Sequence, residues 1–151
     1  MNTVHATADC NLPVRECWEK LRDLGAAANY VPGVTTAEIT TEKKEGVGAS
    51  RLVHSERMTI DETVIEWNEG KGFVIRLHKG EKPPTPMKEA TFRYAIGADG
   101  GRTRIDLSMS FAFGMGPLGR VLEFFAKRMV QNNINAIAPR LARYWETGSA
   151  E

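Results

Sequence analysis

The chain has 151 residues, 42% of them hydrophobic and 26% charged. That length fits one domain, and surface scaling for 16.7 kDa buries roughly 69% of the extended-chain surface, a core that needs no disulfide or metal staple. Its 20 basic and 19 acidic residues leave a net charge of +1, so there is no electrostatic footprint for nucleic acid and no argument for an anionic membrane surface.

The opening MNTVHATADC has no basic segment followed by an apolar one, so no signal peptide is expected. Apolar runs fall far short of the roughly 20 residues of a membrane span, so no integral membrane association is expected and a cytoplasmic location follows by default. Cys10 and Cys17 form no CxxC pair and are expected to be buried free thiols.

Residues 3–10 alternate as a half-buried strand does. Pro13 suits a first helical position, and Val14, Cys17, Trp18 and Leu21 then make an amphipathic stripe, closed at Leu24-Gly25. Residues 26–30 predict a second short helix, stopped by Val31-Pro32-Gly33. Strands are then expected over 34–42, 48–54, 57–67, 73–79, 87–96 and 103–113. Asp99-Gly100-Gly101 is a hairpin signal, and consecutive strands with short turns imply an antiparallel meander. The loop over 80–86 holds three prolines.

Residues 117–147 carry helical periodicity. Leu118, Leu122, Phe125, Ala126, Met129, Val130, Ile134, Ile137, Leu141 and Tyr144 fill one broad apolar arc. Pro139 lies away from that arc and would bend the helix toward it. A sheet with one apolar face and a long apolar helix must bury each other.

This order, with several local motifs, resembles the START-like (SRPBCC) superfamily and looks closest to its polyketide cyclase/dehydrase-type branch. The motifs are Leu12-Pro13-Val14-Arg15-Glu16-Cys17-Trp18, Tyr30-Val31-Pro32-Gly33-Val34, Glu62-Thr63-Val64-Ile65-Glu66-Trp67, Gly101-Arg102-Thr103 and Gly116-Pro117-Leu118. The resemblance covers nearly the whole chain, read as a single domain over 1–151. It implies an α+β helix-grip fold: a curved antiparallel sheet of about seven strands wrapped around the C-terminal helix and enclosing an elongated apolar cavity. Members bind lipids, sterols, quinones, polyketides or plant hormones there, and some are enzymes.

Several segments are candidate sites. Gly114-Met115-Gly116-Pro117-Leu118-Gly119 matches G-x-G-x-x-G literally but lacks the βαβ unit that a dinucleotide site needs, and reads instead as a strand-to-helix corner with Gly119 on the packing face. Phe92, Tyr94 and Ile96 share one strand face, as do Ile105, Leu107, Met109, Phe111 and Phe113, and Phe73, Ile75 and Leu77. Such faces suit an adaptable pocket or a plain core. Glu62 is in phase with Met58, Ile60 and Val64, while Ile65 and Trp67 hold the other phase, which raises a bulge as one explanation. An inward Glu62 would have a raised pKa and would serve as acid or base; alternatively Glu62 is exposed, or is satisfied by a neighbouring Arg. Asn133 falls within the helix's apolar arc and would need a partner in the sheet or a ligand. Tyr30 and Tyr94 would offer hydroxyls. His5, His54 and His78 lie at no metal-ligand spacing, and His78, Arg93, Arg104 and Asp106 are expected on the solvated outer face.

The favoured reading is a carrier or sensor of a small hydrophobic molecule, with no nucleotide or metal cofactor. Met58, Ile60, Val64, Leu77, Phe92, Met109 and Phe111 would line its cavity from the sheet. Leu122, Phe125, Met129 and Ile137 would line it from the helix, and Glu62, Tyr94, Tyr30 and Asn133 would supply polar atoms. A cyclase or dehydrase-type enzyme with Glu62 or Tyr94 as general acid/base is the second reading. A protein-interaction module with a filled core is the third. A monomer or weak dimer is expected.

Overall fold

A computed structural model describes residues 1–84 and 86–151; Thr85, in the proline-rich loop, lies outside the described residues. The chain runs β1 (Asn2–Cys10), α1 (Val14–Leu21), a 3₁₀ helix (Leu24–Asn29), then β2 (Val34–Ile39), β3 (Ser50–Ser55), β4 (Thr59–Asn68), β5 (Gly72–His78), β6 (Met87–Asp99) and β7 (Arg102–Phe113), and ends in α2 (Gly116–Thr147). The strands form one antiparallel sheet ordered β1-β7-β6-β5-β4-β3-β2. β2 to β7 therefore meander, and β1 closes onto β7. α2 packs on β1 and β7, giving an α+β helix-grip architecture.

The two-residue turn between β6 and β7 uses Gly100 and Gly101, both at positive φ (56° and 86°), the hand that matches strand twist. Some local expectations differ from the structure. β2 stops at Ile39 rather than 42. The Leu24-Gly25 pair, expected to close α1, instead opens the 3₁₀ helix. Asp23 is the reason: its carboxylate accepts the Gly25 N–H at 3.1 Å and caps a new turn.

Cys10 and Cys17 are buried free thiols with sulfurs 3.7 Å apart, pinning α1 to the end of β1. α1 also turns Trp18 and Leu21 into the core. The strand-to-helix corner is built on Met115 and Gly116, at φ of 68° and 56°. A Cβ on Gly119 would lie 1.8 Å from the Gly114 carbonyl oxygen, so the corner closes only around a glycine. The G-x-G-x-x-G is thus a packing device.

The expectation for α2 needs one correction. Its 32 residues run about 48 Å. Ile134, Ile137, Ala138, Leu141, Ala142 and Trp145 are buried, all in the C-terminal half. In the N-terminal half, Leu118 is 59% exposed, Phe125 67% and Met129 69%. The apolar arc spans about 180° at 100° per residue, which is two faces. One half packs on β1 and β7, and the other half faces solvent. The accessible area, 8643 Å², also exceeds the roughly 7,600 Å² expected from the mass.

Candidate functional site

A cavity of about 300 Å³ lies between the inner face of the sheet and the middle of α2. The alternation of β4 explains one wall. Ile60, Glu62 and Val64 share the inward phase. Between Val64 and Glu66 the β4–β5 register shifts by one residue, at a bulge. Ile65 is the extra residue and stands 41% exposed. Trp67 returns inward and stacks on Phe73 at 5.5 Å. The bulge thus returns Trp67 to the inner face and leaves Ile65 outside, and Glu62 points into the cavity.

Glu62 does not sit there alone. Its register partner on β3 is Arg51, only 2% exposed. Arg51 Nε donates to Glu62 Oε1 at 2.8 Å, and Nη1 donates to the Leu24 carbonyl at 2.8 Å. Both side chains line the cavity. Burial works against the guanidinium's charge, but the facing Glu62 carboxylate and the nearby tyrosines outweigh it and raise its pKa. Tyr94 lies close by on β6 and also lines the cavity. Burial, the adjacent Tyr30 and Glu62 push its pKa well above the ordinary tyrosine range, so its hydroxyl keeps its proton. The result is one polar corner in an apolar wall: a buried cation, its carboxylate partner and a fixed phenol.

Pairing of Glu62 with a neighbouring Arg is thus the alternative observed, although the sequence reading did not name Arg51. The signal was present: an inward carboxylate on β4 needs a cation, and Arg51 is the one Arg on the neighbouring strand.

Around that corner the wall is apolar. Val53 comes from β3, Met58 from the turn before β4, Ile60 from β4, Leu77 from β5 and Phe92 from β6. Met109 comes from β7 and Ile137 from α2, and Val31 and Pro32 follow the 3₁₀ helix. Phe92, Tyr94 and Phe73 form a continuous aromatic row, with ring centroids 4.7 and 5.0 Å apart. Asn133 is on the wall, but its side chain is exposed, so it stands at the mouth and is not a buried amide.

The other candidates lie elsewhere. Tyr30 is buried behind Tyr94, with ring centroids 6.4 Å apart. Val64 and Phe111 belong to the solid core. Leu122, Phe125 and Met129 are off the cavity, because that end of α2 has turned its second face to solvent. His78 is half-buried rather than solvated: it bonds the Thr63 hydroxyl and the Gly80 carbonyl, each at 2.7 Å. Arg93 pairs with Glu66 and Arg104 with Asp106, all on the exposed face. A broader open furrow between β1 and α2, lined by Asp9, Asn135, Arg143 and Glu146 among others, is polar and shallow and holds no aromatic anchor. Among the described residues no His, Cys, Asp and Glu cluster could hold a metal ion, and no helix is long and apolar enough to cross a membrane.

Residues 1–146 match the protein family described as "Polyketide cyclase / dehydrase and lipid transport". The chain belongs to that family. Solved structures agree on the fold. The chain is similar to TTHA0849 from Thermus thermophilus, with a TM-score of 0.73 and 16% identity over 98% of this chain and 99% of that one. It is similar to DynU16 of the dynemicin biosynthetic locus, with a TM-score of 0.69 and 19% identity over 99% of this chain and 49% of that one. A START superfamily protein from Mycobacterium smegmatis matches at a TM-score of 0.66 and 12% identity, over 93% of this chain and 97% of that one. No curated protein matches. Identities this low carry the fold alone, so within the family the function of this chain rests on its own cavity.

Proposed function

We propose that the chain binds one compact hydrophobic molecule carrying an oxygen-bearing polar head, held in the cavity between the sheet and α2. The observation that carries this reading is the Arg51–Glu62 pair with Tyr94 in the wall of an otherwise apolar cavity. A pocket lined by apolar and aromatic side chains, with a few convergent polar groups, supplies affinity through burial and orientation through hydrogen bonds. At about 300 Å³ the volume is at the small end of ligand sites, which favours a fused-ring or single-chain ligand over a two-chain lipid. The Tyr94 hydroxyl, holding its proton, acts as a donor to a carbonyl or hydroxyl oxygen of the ligand.

The test is mass spectrometry of freshly purified protein, native and then after solvent extraction. A stoichiometric molecule released on denaturation supports the reading and gives the ligand class. No adduct, with no dye bound by the folded protein, overturns it.

The same corner favours one second reading, an acid/base enzyme of cyclase or dehydrase type, because a carboxylate and a phenol line one cavity. Incubating the extracted molecule with wild type and with Glu62→Gln separates the two. Conversion to a product one water lighter, by wild type only, supports catalysis. An unchanged ligand supports carriage.

A further inference from the structure

The cavity leaves unexplained the face that α2 turns to solvent. Leu118, Val121, Phe124, Phe125 and Met129 are 53–76% exposed, and Met115, just before the helix, is exposed as well. Single exposed apolar residues are ordinary; a contiguous set on one helix marks an interaction surface. Phe124 is the most exposed of the set, and together with Phe125 it walls a groove with Lys127 and Arg128.

The charge around this face has one sign. Gly116 to Gln131 holds Arg120, Lys127 and Arg128, all exposed, against the single acid Glu123. Glu123 is half-buried and turned back on the fold, where its carboxylate accepts the Phe113 N–H at 3.0 Å. At 100° per residue, Arg120 and Lys127 border the Phe124 edge of the apolar set, on the side away from Met129, and Arg128 lies beside Phe124. Aromatic and aliphatic side chains edged by Arg and Lys form the pattern of a helix lying in a membrane interface. A second copy of the chain is a poorer occupant, since pairing this face with itself would set three cations against three.

The position of the face fits the same partner. Asn133, at the cavity mouth, is one helical turn beyond Met129. Met58, also on the cavity wall, is 53% exposed. We propose that the N-terminal half of α2 docks the protein peripherally on an anionic lipid surface, with the cavity mouth beside the bilayer. The docking stands on the exposed face alone, and only the role of the mouth rests on the ligand-binding reading.

The test is co-sedimentation of the full chain with vesicles of phosphatidylcholine, and of phosphatidylcholine with one third phosphatidylserine. Binding to the anionic vesicles is expected, weakening as salt rises. Arg120→Gln/Lys127→Gln/Arg128→Gln should weaken it by about 100-fold, at roughly five-fold per basic residue. Phe124→Ser/Phe125→Ser should weaken it by more than about ten-fold. These side chains are exposed, so thermal melts of both variants should match wild type. The proposal falls if the wild-type chain ignores both vesicles, or if neither variant changes its binding. It also falls if sedimentation shows a dimer that Phe125→Asp dissolves while vesicles stay unbound, which would assign the face to a second copy. Vesicle binding is read without ligand, so an empty cavity leaves the result standing.

Discussion

Replacing Glu62 by Gln keeps the shape of the side chain and removes the anion that pairs with Arg51. Arg51 is 2% exposed and Glu62 12%, and they meet at 2.8 Å. After the substitution Arg51 stays charged and buried, with the Leu24 carbonyl as its remaining partner. Breaking a buried pair from one side costs about 3–5 kcal/mol, because the surviving charge is left uncompensated. For a chain of this size that lowers Tm by about 6–20 °C, at roughly 2–4 °C per kcal/mol. Arg51→Met should cost a similar amount, since it strands the carboxylate instead. The double variant Arg51→Met/Glu62→Leu removes both charges while keeping volume, and should recover most of the loss or exceed wild type. Thermal and urea unfolding of the four proteins closes the cycle. The sign with pH is fixed as well. Folding raises the Arg51 pKa, so its contribution is complete below the ordinary arginine range and fades only above it. The difference between wild type and Glu62→Gln should therefore persist across neutral and mildly alkaline pH. A Glu62→Gln protein that melts with wild type, or a double variant as damaged as the two singles added, would refute the buried pair.

Tyr94→Phe should leave stability nearly unchanged but weaken the extracted ligand by about two- to ten-fold in a direct titration, the net worth of one hydrogen bond. Gly119→Ala should cost about 1–3 kcal/mol or more in urea unfolding, because its Cβ would meet the Gly114 carbonyl 1.8 Å away. Cys17 should resist thiol reagents until the chain unfolds, since burial pushes its thiol up to about 12. Folding raises that pKa, so the contribution is whole below the unfolded thiol value of about 8.5 and is lost as pH climbs through about 12; urea midpoints should fall over that interval.

The order of elements was readable because each boundary has a local chemical cause. Pro13 opens α1, Gly100-Gly101 turns the last hairpin, and period 2 gives way to period 3.6 at Gly116. Where two signals compete locally, the stronger contact decides: Gly25 has the chemistry of a helix end, but the Asp23 cap makes it a beginning. The facing of β4 was undecidable from alternation alone. The bulge changes the phase in mid-strand, and whether one residue is extra depends on register with β5, which no local pattern contains. Arg51 stayed hidden for a related reason. A buried Arg and a solvated one are spelled alike, and only its cross-strand neighbour distinguishes them.

The α2 stripe shows a different limit. Periodicity reports which residues avoid water, without saying what they avoid it against. An arc of about 180° is wider than the contact with one flat sheet requires. The excess predicts a second neighbour, and in this chain the sheet supplies only the first. Net charge fails in a parallel way. The total of +1 averages a nearly neutral remainder with a short cationic helix segment, and a surface responds to the segment. Within Gly116 to Gln131 the single acid is turned inward and the three cations outward. An apolar face and a local positive field that coincide on one half-helix, beside the mouth of an apolar cavity, have a common physical cause if that half-helix meets anionic lipid.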